Sequence, residues 1–506
     1  MFKNHPKGLF AAALANMGER FGFYTMMAIL VLFLQAKFGL DGKGAGFIYS
    51  IFYALIYVLA LVGGLIADKT RNYKGTILVG LFVMAGGYLL LSIPTPTPVS
   101  NVTMALAFSC LALFMIAFGN GLFKGNLQAL VGQMYDNEKY SKMRDSGFSL
   151  FYMFINVGAM FAPLVAPALR NWWLKSHGFI YDAGLPSLCH QVLDKSKEMS
   201  ADAIEKFSEL SSAVSLQGQT MSLTAEQFAA DYLNIFTTGF HYAFGVAIVA
   251  MLISVVIYMA NKKGFPDPKN KVKAAAGTHG SEMSVQEVRQ RVWALFAVYG
   301  VVIFFWFSFH QNGLTLTFFA RDYTALKLFG MPIAVEHFQS ANPFLVVFLT
   351  PIILGIFGWL RSRNMEPSTP KKIAIGMGIA ALAFVLMTVV SKISNLPLYS
   401  EIVGRSDVLV TPWLLIGTYF ILTVAELFIS PLGISFVSKV APPHLQGLMQ
   451  GGWLTATATG NALLIFGAIF YESLPIWMTW TIFAAACVIS MFTMLFMLKW
   501  LERVAK

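Results

Sequence analysis

Apolar runs of about 20 residues recur along the chain, separated by short polar turns. Each is long enough to cross a bilayer as a helix. They fall at about 9–35, 44–66, 76–93, 103–131, 148–168, 237–260, 292–318, 342–361, 372–393, 413–438, 448–470 and 476–499. The pattern therefore predicts twelve spans. The first run lacks a short apolar core followed by a small-residue cleavage site, so it is expected to be retained. Two polar segments interrupt the rhythm. One, at about 261–291, opens with "NKKGFPDPKNKVK" and closes with "SVQEVRQRVW", which predicts an amphipathic helix leading into span seven. The other, 170–236, lies between spans five and six. Its stretches "DAIEKFSELSSAV" and "TAEQFAADYL" predict helices, and Thr224 with Gln227 predicts a capping box. A surface decoration is its expected role, with a partner-binding surface the alternative.

Composition agrees with the pattern. Of 506 residues, 57% are hydrophobic and 12% charged, against about 25% charged in soluble domains. The net charge of +11 could suggest a nucleic-acid partner, but its placement excludes one. Most lysines and arginines sit in the even-numbered turns and at the two ends, among them Lys69, Arg71, Lys74, Lys262, Lys263, Arg361 and Arg363. That bias places both termini in the cytoplasm, in a multi-pass protein of the cell (inner) membrane. Cys110 and Cys487 lie in spans and Cys189 is alone in the insertion. No metal-ligand spacing or phosphate-cradling loop is present, so neither a cofactor nor enzymatic chemistry is expected.

The spans divide six and six. The expected fold class is an all-α membrane protein with two six-helix bundles, residues 1–262 (carrying the insertion 170–236) and 292–506, joined by the linker 263–291. This is the layout of the major facilitator transporters, whose substrate site lies near the midplane between the halves. "GGLIADKTR" (63–71) and "FGWLRSR" (357–363) occupy equivalent turns and form a faint internal echo. Asp68, beside Lys69 and Arg71, is expected to latch the cytoplasmic end of span two.

Charge inside a membrane is costly and marks a pathway unless it is paired off. Five ionisable groups lie well inside spans: Glu19 and Arg20 in span one, Lys124 in span four, His310 in span seven and Glu426 in span ten. Both cations belong to the N-terminal half, while the C-terminal half offers a carboxylate and an imidazole. Such polarity suits a zwitterionic solute, its carboxylate on Arg20 or Lys124 and its amine on Glu426. His310 and Glu426 are candidate proton carriers. The competing reading makes Asn16, Glu19 and Arg20, all within one turn, a self-neutralising latch. Tyr24, Tyr57, Asn156, Gln311, Asn342 and Trp453 would line a wet cavity. The glycines of "FGNGLFKGN" (118–126) would let other helices approach Lys124 closely.

The motifs resemble those of the proton-dependent oligopeptide transporters of the major facilitator superfamily. "NMGERFGFY" is similar to that family's Glu-x-x-Glu-Arg-Phe-x-Tyr-Tyr motif, and "FSLFYMFINVGAM" (148–160) to its span-five pattern. "GLFKGN" resembles Phe-Lys-Pro-Asn, and "QSANP" (339–343), "ELFISPLG" (426–433) and "GGWL" (451–454) resemble the motifs of spans eight, ten and eleven. The resemblance implies a proton-driven importer of di- and tripeptides that works by alternating access. Arg20 and Lys124 would hold the peptide carboxylate, and Glu426, with Asn156 and Asn342, its amine. Tyr24, Tyr57 and Trp453 would shape side-chain pockets, with Gln311 and Ser430 beside them. Glu19, Lys124, His310 and Glu426 would couple to protons, through salt bridges such as one from Glu19 or Glu426 to Lys124.

Several motif positions depart from the family pattern. Asn16 stands where the motif has its first glutamate, Phe23 where it has a tyrosine, Met27 where an arginine often follows, and His310 where an acid is expected. A carrier with weakened or absent proton coupling, or one for another small solute such as an anion or a modified amino acid, is the alternative. A receptor using 170–236 is a more distant one. The partners expected are peptide, protons and the lipid bilayer, and the expected state is a monomer.

Overall fold

In a computed structural model the described residues are 5–135, 138–140, 144–194, 196, 198–216, 223–266, 284–442 and 446–504. Most of the predicted linker (267–283) and the side chain of Asp68 lie outside them.

The helices in chain order are α1 (Lys7–Phe38), α2 (Gly42–Thr70), α3 (Tyr73–Ser92), α4 (Val102–Met134), α5 (Arg144–Ser176), α6 (Leu185–Leu193), α7 (Ala201–Val214) and α8 (Ala225–Asn261). The C-terminal half follows with α9 (Val285–Phe309), α10 (Thr315–Tyr323), α11 (Ala341–Ser362), α12 (Thr369–Ile393), α13 (Pro412–Val440), α14 (Gln446–Ala462), α15 (Leu464–Ser473) and α16 (Ile476–Val504). Among the described residues, twelve stretches are long and apolar enough to span a membrane, as the hydropathy pattern predicts. Polar turns open the helices that follow them by capping their N-termini. Asp41 accepts from the Gly44 amide at 2.7 Å and Asn72 from the Gly75 amide at 3.0 Å. The predicted Thr224–Gln227 capping box opens α8. "SVQEVRQRVW" is the first part of α9, capped by Ser284, and runs into span seven without a break.

Among the described residues, two spans are discontinuous. Span seven breaks between α9 and α10 at His310–Gly313, and span eleven breaks between α14 and α15 at Leu463. Freed carbonyls at membrane depth must find partners. The Asn312 carbonyl accepts from the Tyr419 hydroxyl at 2.8 Å, and the Leu464 carbonyl from the Gln311 amide at 3.4 Å. The two breaks therefore support each other.

Glycines set how closely the N-terminal helices approach. A Cβ on Gly121 would lie 2.4 Å from the Leu59 carbonyl oxygen, and one on Gly63 only 2.1 Å from that of Gly121. Helices α2 and α4 touch backbone to backbone there, as the glycine run predicted. Asn126 fixes the crossing by donating to the Gly63 carbonyl at 3.0 Å.

Among the described residues, every hydrogen bond between the two halves lies toward the face that carries the insertion. Arg321 donates to Gln35 at 2.5 Å, Gln339 to the Ala28 carbonyl at 3.4 Å, the Gly42 amide to Glu472 at 2.5 Å and Lys206 to Asp407 at 3.1 Å. Arg170 and Glu336 form an ion pair with both side chains fully buried, the guanidinium lying 3.9 Å from the Tyr181 ring centre. The insertion itself, expected to decorate the surface, is part of this closure. Gly184 abuts Gly404 and Arg405, so a Cβ there would lie 2.9 Å from Arg405. On the opposite, lysine- and arginine-rich face, no hydrogen bond joins α4 or α5 to α13 or α14 among the described residues.

On that basic face Glu366 clips the turn after α11 to α12. It accepts from Arg361 at 2.6 Å and from Lys372 at 2.5 Å. The Arg361 guanidinium and the Lys372 ammonium hold its carboxyl down to about 2. A carboxylate held below its unfolded value stabilises the fold above that value, about 4.3 for Glu, and the contribution fades as pH falls toward the folded one. Glu366→Gln should therefore lower the melting temperature at pH 7, with the difference from the parent shrinking between pH 4.5 and pH 2. Melting curves in detergent across that range check it, and a difference that does not change with pH would contradict the clip.

Candidate functional site

The intramembrane charges of α1 are paired within the helix. Arg20 Nε donates to Glu19 Oε2 at 2.5 Å and Nη2 to Oε1 at 2.6 Å. Asn120 of α4 donates to the same Oε1 at 2.8 Å. Glu19 is fully buried and Arg20 is 4% exposed, its guanidinium 4.6 Å from the Phe23 ring centre. Phe23, where the resemblance implies a tyrosine, thus gives the cation an apolar face. Asn16, also buried, lies one turn before the pair.

The expected salt bridge to Lys124 is not formed in this state. No carboxylate lies within 4 Å of the Lys124 ammonium among the described residues. Glu19 already has three donors, and it meets α4 at Asn120, one turn short of Lys124. The ammonium instead sits 5.1 Å from the Tyr57 ring centre. Next to it Gly125, where the family pattern has proline, faces open space.

Both halves place half-buried polar side chains in mid-span. Tyr24, Tyr57 and Lys124 from the N-terminal half and Asn342, Glu426 and Ser430 from the C-terminal half are half-buried in mid-span. Tyr24 and Tyr57 of one half lie within electrostatic reach of Glu426 of the other. Glu426 accepts from Asn342 at 2.8 Å, and the same amide donates to Thr423 at 3.0 Å. Asn156 donates to the Tyr152 carbonyl at 3.1 Å. Trp453 is buried, its ring seated where a Cβ on Gly433 would lie, 2.0 Å away. Gln311 is fully buried between the two helix breaks and also accepts from Thr315 at 3.1 Å. Met27 is in the core of α1.

His310 is buried where span seven breaks. Its ring stacks on Trp306 at 4.8 Å and 19°, and lies 4.8 Å from Tyr53. Nδ1 meets Asn461 Oδ1 at 2.5 Å. Tyr49, Tyr53 and Tyr57 stand at four-residue spacing along one face of α2, their rings 5.8 and 6.0 Å apart. They form an aromatic ladder from Lys124 to His310.

Sequence reading missed Tyr53, Asn120, Tyr152 and Asn461. Tyr53 falls midway between Tyr49 and Tyr57 on a helical face. Asn120 precedes Lys124 by four residues, and Asn461 is an amide inside a span, so each left a signal. Tyr152 is 50% exposed yet within electrostatic reach of Glu426, Tyr24 and Tyr57. An exposed tyrosine in an apolar helix looks lipid-facing until the other half is in place.

Glu19→Gln leaves a buried guanidinium without its counter-charge, a loss of about 3–5 kcal/mol. The double variant Glu19→Gln/Arg20→Gln should regain most of it. Thermal unfolding of the set in detergent checks this, and additive losses would show that the two groups do not act as a pair.

The chain matches the family model described as PTR2, POT family, over residues 74–278 and 267–477. It is 28% identical over 472 residues to the peptide transporter YePEPT of Yersinia enterocolitica, covering 91% of this chain and 87% of that protein. It is also 28% identical over 462 residues to dipeptide and tripeptide permease A of Chromobacterium violaceum, covering 90% and 84%. Among solved structures, the peptide transporter POT in complex with sulfate superposes with a TM-score of 0.74 at 24% identity, over 100% of this chain and 96% of that one. A POT family transporter in complex with 5-aminolevulinic acid superposes with a TM-score of 0.73 at 21% identity, over 100% and 98%.

Proposed function

The chain belongs to the POT family, and from that premise we propose that it imports di- and tripeptides together with protons by alternating access. The observation that carries the reading is the division of charge across one interior. Lys124 and Arg20 belong to one half and Glu426, held by Asn342, to the other. A zwitterion a few ångströms long can touch both halves only when they are drawn together. Binding energy at the two ends then favours closure around the substrate. The relatives named as peptide transporters support peptides as the substrate class.

In this reading Lys124 takes the peptide carboxylate. It sits over an aromatic face with no carboxylate within 4 Å among the described residues, so a substrate carboxylate does not have to displace an internal partner. Arg20 is engaged by Glu19 and helps only when Glu19 lets go, which makes protonation of Glu19 one route by which a proton favours binding. His310 and Glu426 supply the others. The absence of an acid at Asn16 favours a second reading, a peptide-family carrier whose coupling is weak.

Uptake of labelled dialanine into liposomes, with and without an inward pH gradient, separates the two readings. Accumulation that requires the gradient supports symport. Equilibration without accumulation supports the weakly coupled carrier, and no dialanine uptake at all rejects peptides. In the same assay Lys124→Ala should lower gradient-driven uptake at least tenfold. Uptake equal to the parent would remove Lys124 from the mechanism.

Glu426→Gln should impair uptake of free dialanine at least ten times more than it impairs binding of an N-acetylated dipeptide competitor. Competition curves read this directly, and equal losses would contradict an amine site at Glu426.

A further inference from the structure

His310 is held in a way that singles out one of its nitrogens. Nδ1 meets the Asn461 carbonyl oxygen at 2.5 Å. Nε2 has no protein partner among the described residues and is not sealed from solvent, whereas Asn461 Nδ2 is sealed and unpartnered. Leaving an amide N–H₂ unpaired in the interior is costly, so this orientation of Asn461 has to be accounted for. Turning the amide over would put an N–H₂ group against Nδ1. That arrangement suits only an imidazole whose Nδ1 carries no proton, because a charged imidazole donates from both nitrogens. An oxygen at Nδ1 accepts from the neutral Nδ1–H tautomer and from the cation alike. It leaves Nε2 as the nitrogen that gains and loses a proton at the cavity.

We infer that Asn461 is a positioning residue that fixes the His310 tautomer, presenting Nε2 as the basic atom at the outer end of the cavity. The inference rests on the reading of His310 as a proton carrier. The other groups around the ring fit the role. Trp306 of α9 stacks on one face, Tyr53 of α2 covers another side, and Asn461 of α14 holds Nδ1. Lys124 of α4 is the charged group within electrostatic reach. Its ammonium and an imidazolium repel, so a proton on Nε2 and a free Lys124 oppose each other across the tyrosine ladder. A peptide carboxylate arriving at Lys124 removes that opposition, which links proton loading at one end to substrate at the other. The backbone fixes the contact. Asn461 sits two residues before the Leu463 break, and the Gln311–Leu464 bond locks that break to the His310 turn.

The test uses the full-length protein in liposomes and measures initial dialanine uptake from pH 5 to 8 for the parent, His310→Gln, Asn461→Leu and Asn461→Asp. Asn461→Leu removes the acceptor and should flatten the pH profile to resemble that of His310→Gln. Asn461→Asp keeps an acceptor and adds charge, so it should retain a bell or step moved toward alkaline pH by about one unit or more. If His310→Gln loses the parental profile while Asn461→Leu keeps it, the positioning role is overturned and the proton role of His310 stands. If His310→Gln itself keeps the parental profile, the proton role fails and this inference with it. Should Asn461→Leu fail to elute as a monodisperse protein, Asn461→Asp decides: an unshifted profile overturns the inference.

Discussion

The constraint on which the structure turns is that a carboxylate in the middle of a membrane helix cannot stand without donors. Glu19 finds three, two from the next residue and one from Asn120 on α4. The result is a neutral, fully buried knot that ties α1 to α4. The knot determines what the other charges can do. Because Glu19 is already satisfied, Lys124 one turn further along α4 is left over an aromatic ring, with no carboxylate beside it among the described residues. The pair most conspicuous in the sequence is thus the most internally settled in this state, and the lone lysine is the cation open to a ligand.

The second constraint is the asymmetry between the two faces. On the insertion face, polar links join α1, α2 and α5 to the C-terminal half, and a buried ion pair seals the centre. Losing one member of such a pair is far more costly than separating both into water. In the proposed cycle, opening this face would mean hydrating Arg170 and Glu336 together, which would set a barrier between the two conformations. The insertion adds to the barrier, since α6 and α7 touch the C-terminal loops at Gly404, Arg405 and Asp407. Such contacts would have to break and remake in each proposed cycle, so in that proposal the segment between spans five and six does more than cover a surface.

Much of this was legible in the sequence because membranes demand a strict code. Apolar length predicts spans, and the Thr224–Gln227 spacing predicts a capping box that the structure contains. The glycines around Lys124 predict the close approach of α2 and α4. Pairings across helices were not legible. Nothing in the spacing of Glu19 and Lys124 says that the carboxylate meets α4 at Asn120 instead, because a rotation of one helix by part of a turn decides it. Tyr152 and Asn461 were hidden for the same reason. Each is unremarked in its own helix and acquires meaning from a residue more than a hundred positions away. The breaks at His310–Gly313 and Leu463 were also invisible, since neither contains proline and both lie in apolar runs of ordinary length.

Those breaks bear on the motif positions that depart from the family pattern. Asn16 cannot titrate, and Glu19 is committed to Arg20, so the N-terminal half has little free acid to offer a proton. The C-terminal half contributes Glu426, in the cavity with one amide donor, and His310, at a helix break where its ring is clamped and one nitrogen left accessible. An imidazole differs from a carboxylate in the sign of its charged form. A protonated acid at this position would be neutral and would leave Lys124 free of attraction. A protonated His310 is positive and actively repels Lys124. Where the motif resemblance implies an acid, a histidine in the proposed cycle would therefore not simply preserve a proton site. It changes what the proton does there, from switching off an attraction to switching on a repulsion, and a substrate carboxylate at Lys124 relieves that repulsion. Coupling in the proposed cycle would then survive the loss of the motif's first glutamate, with its electrostatic logic inverted rather than removed.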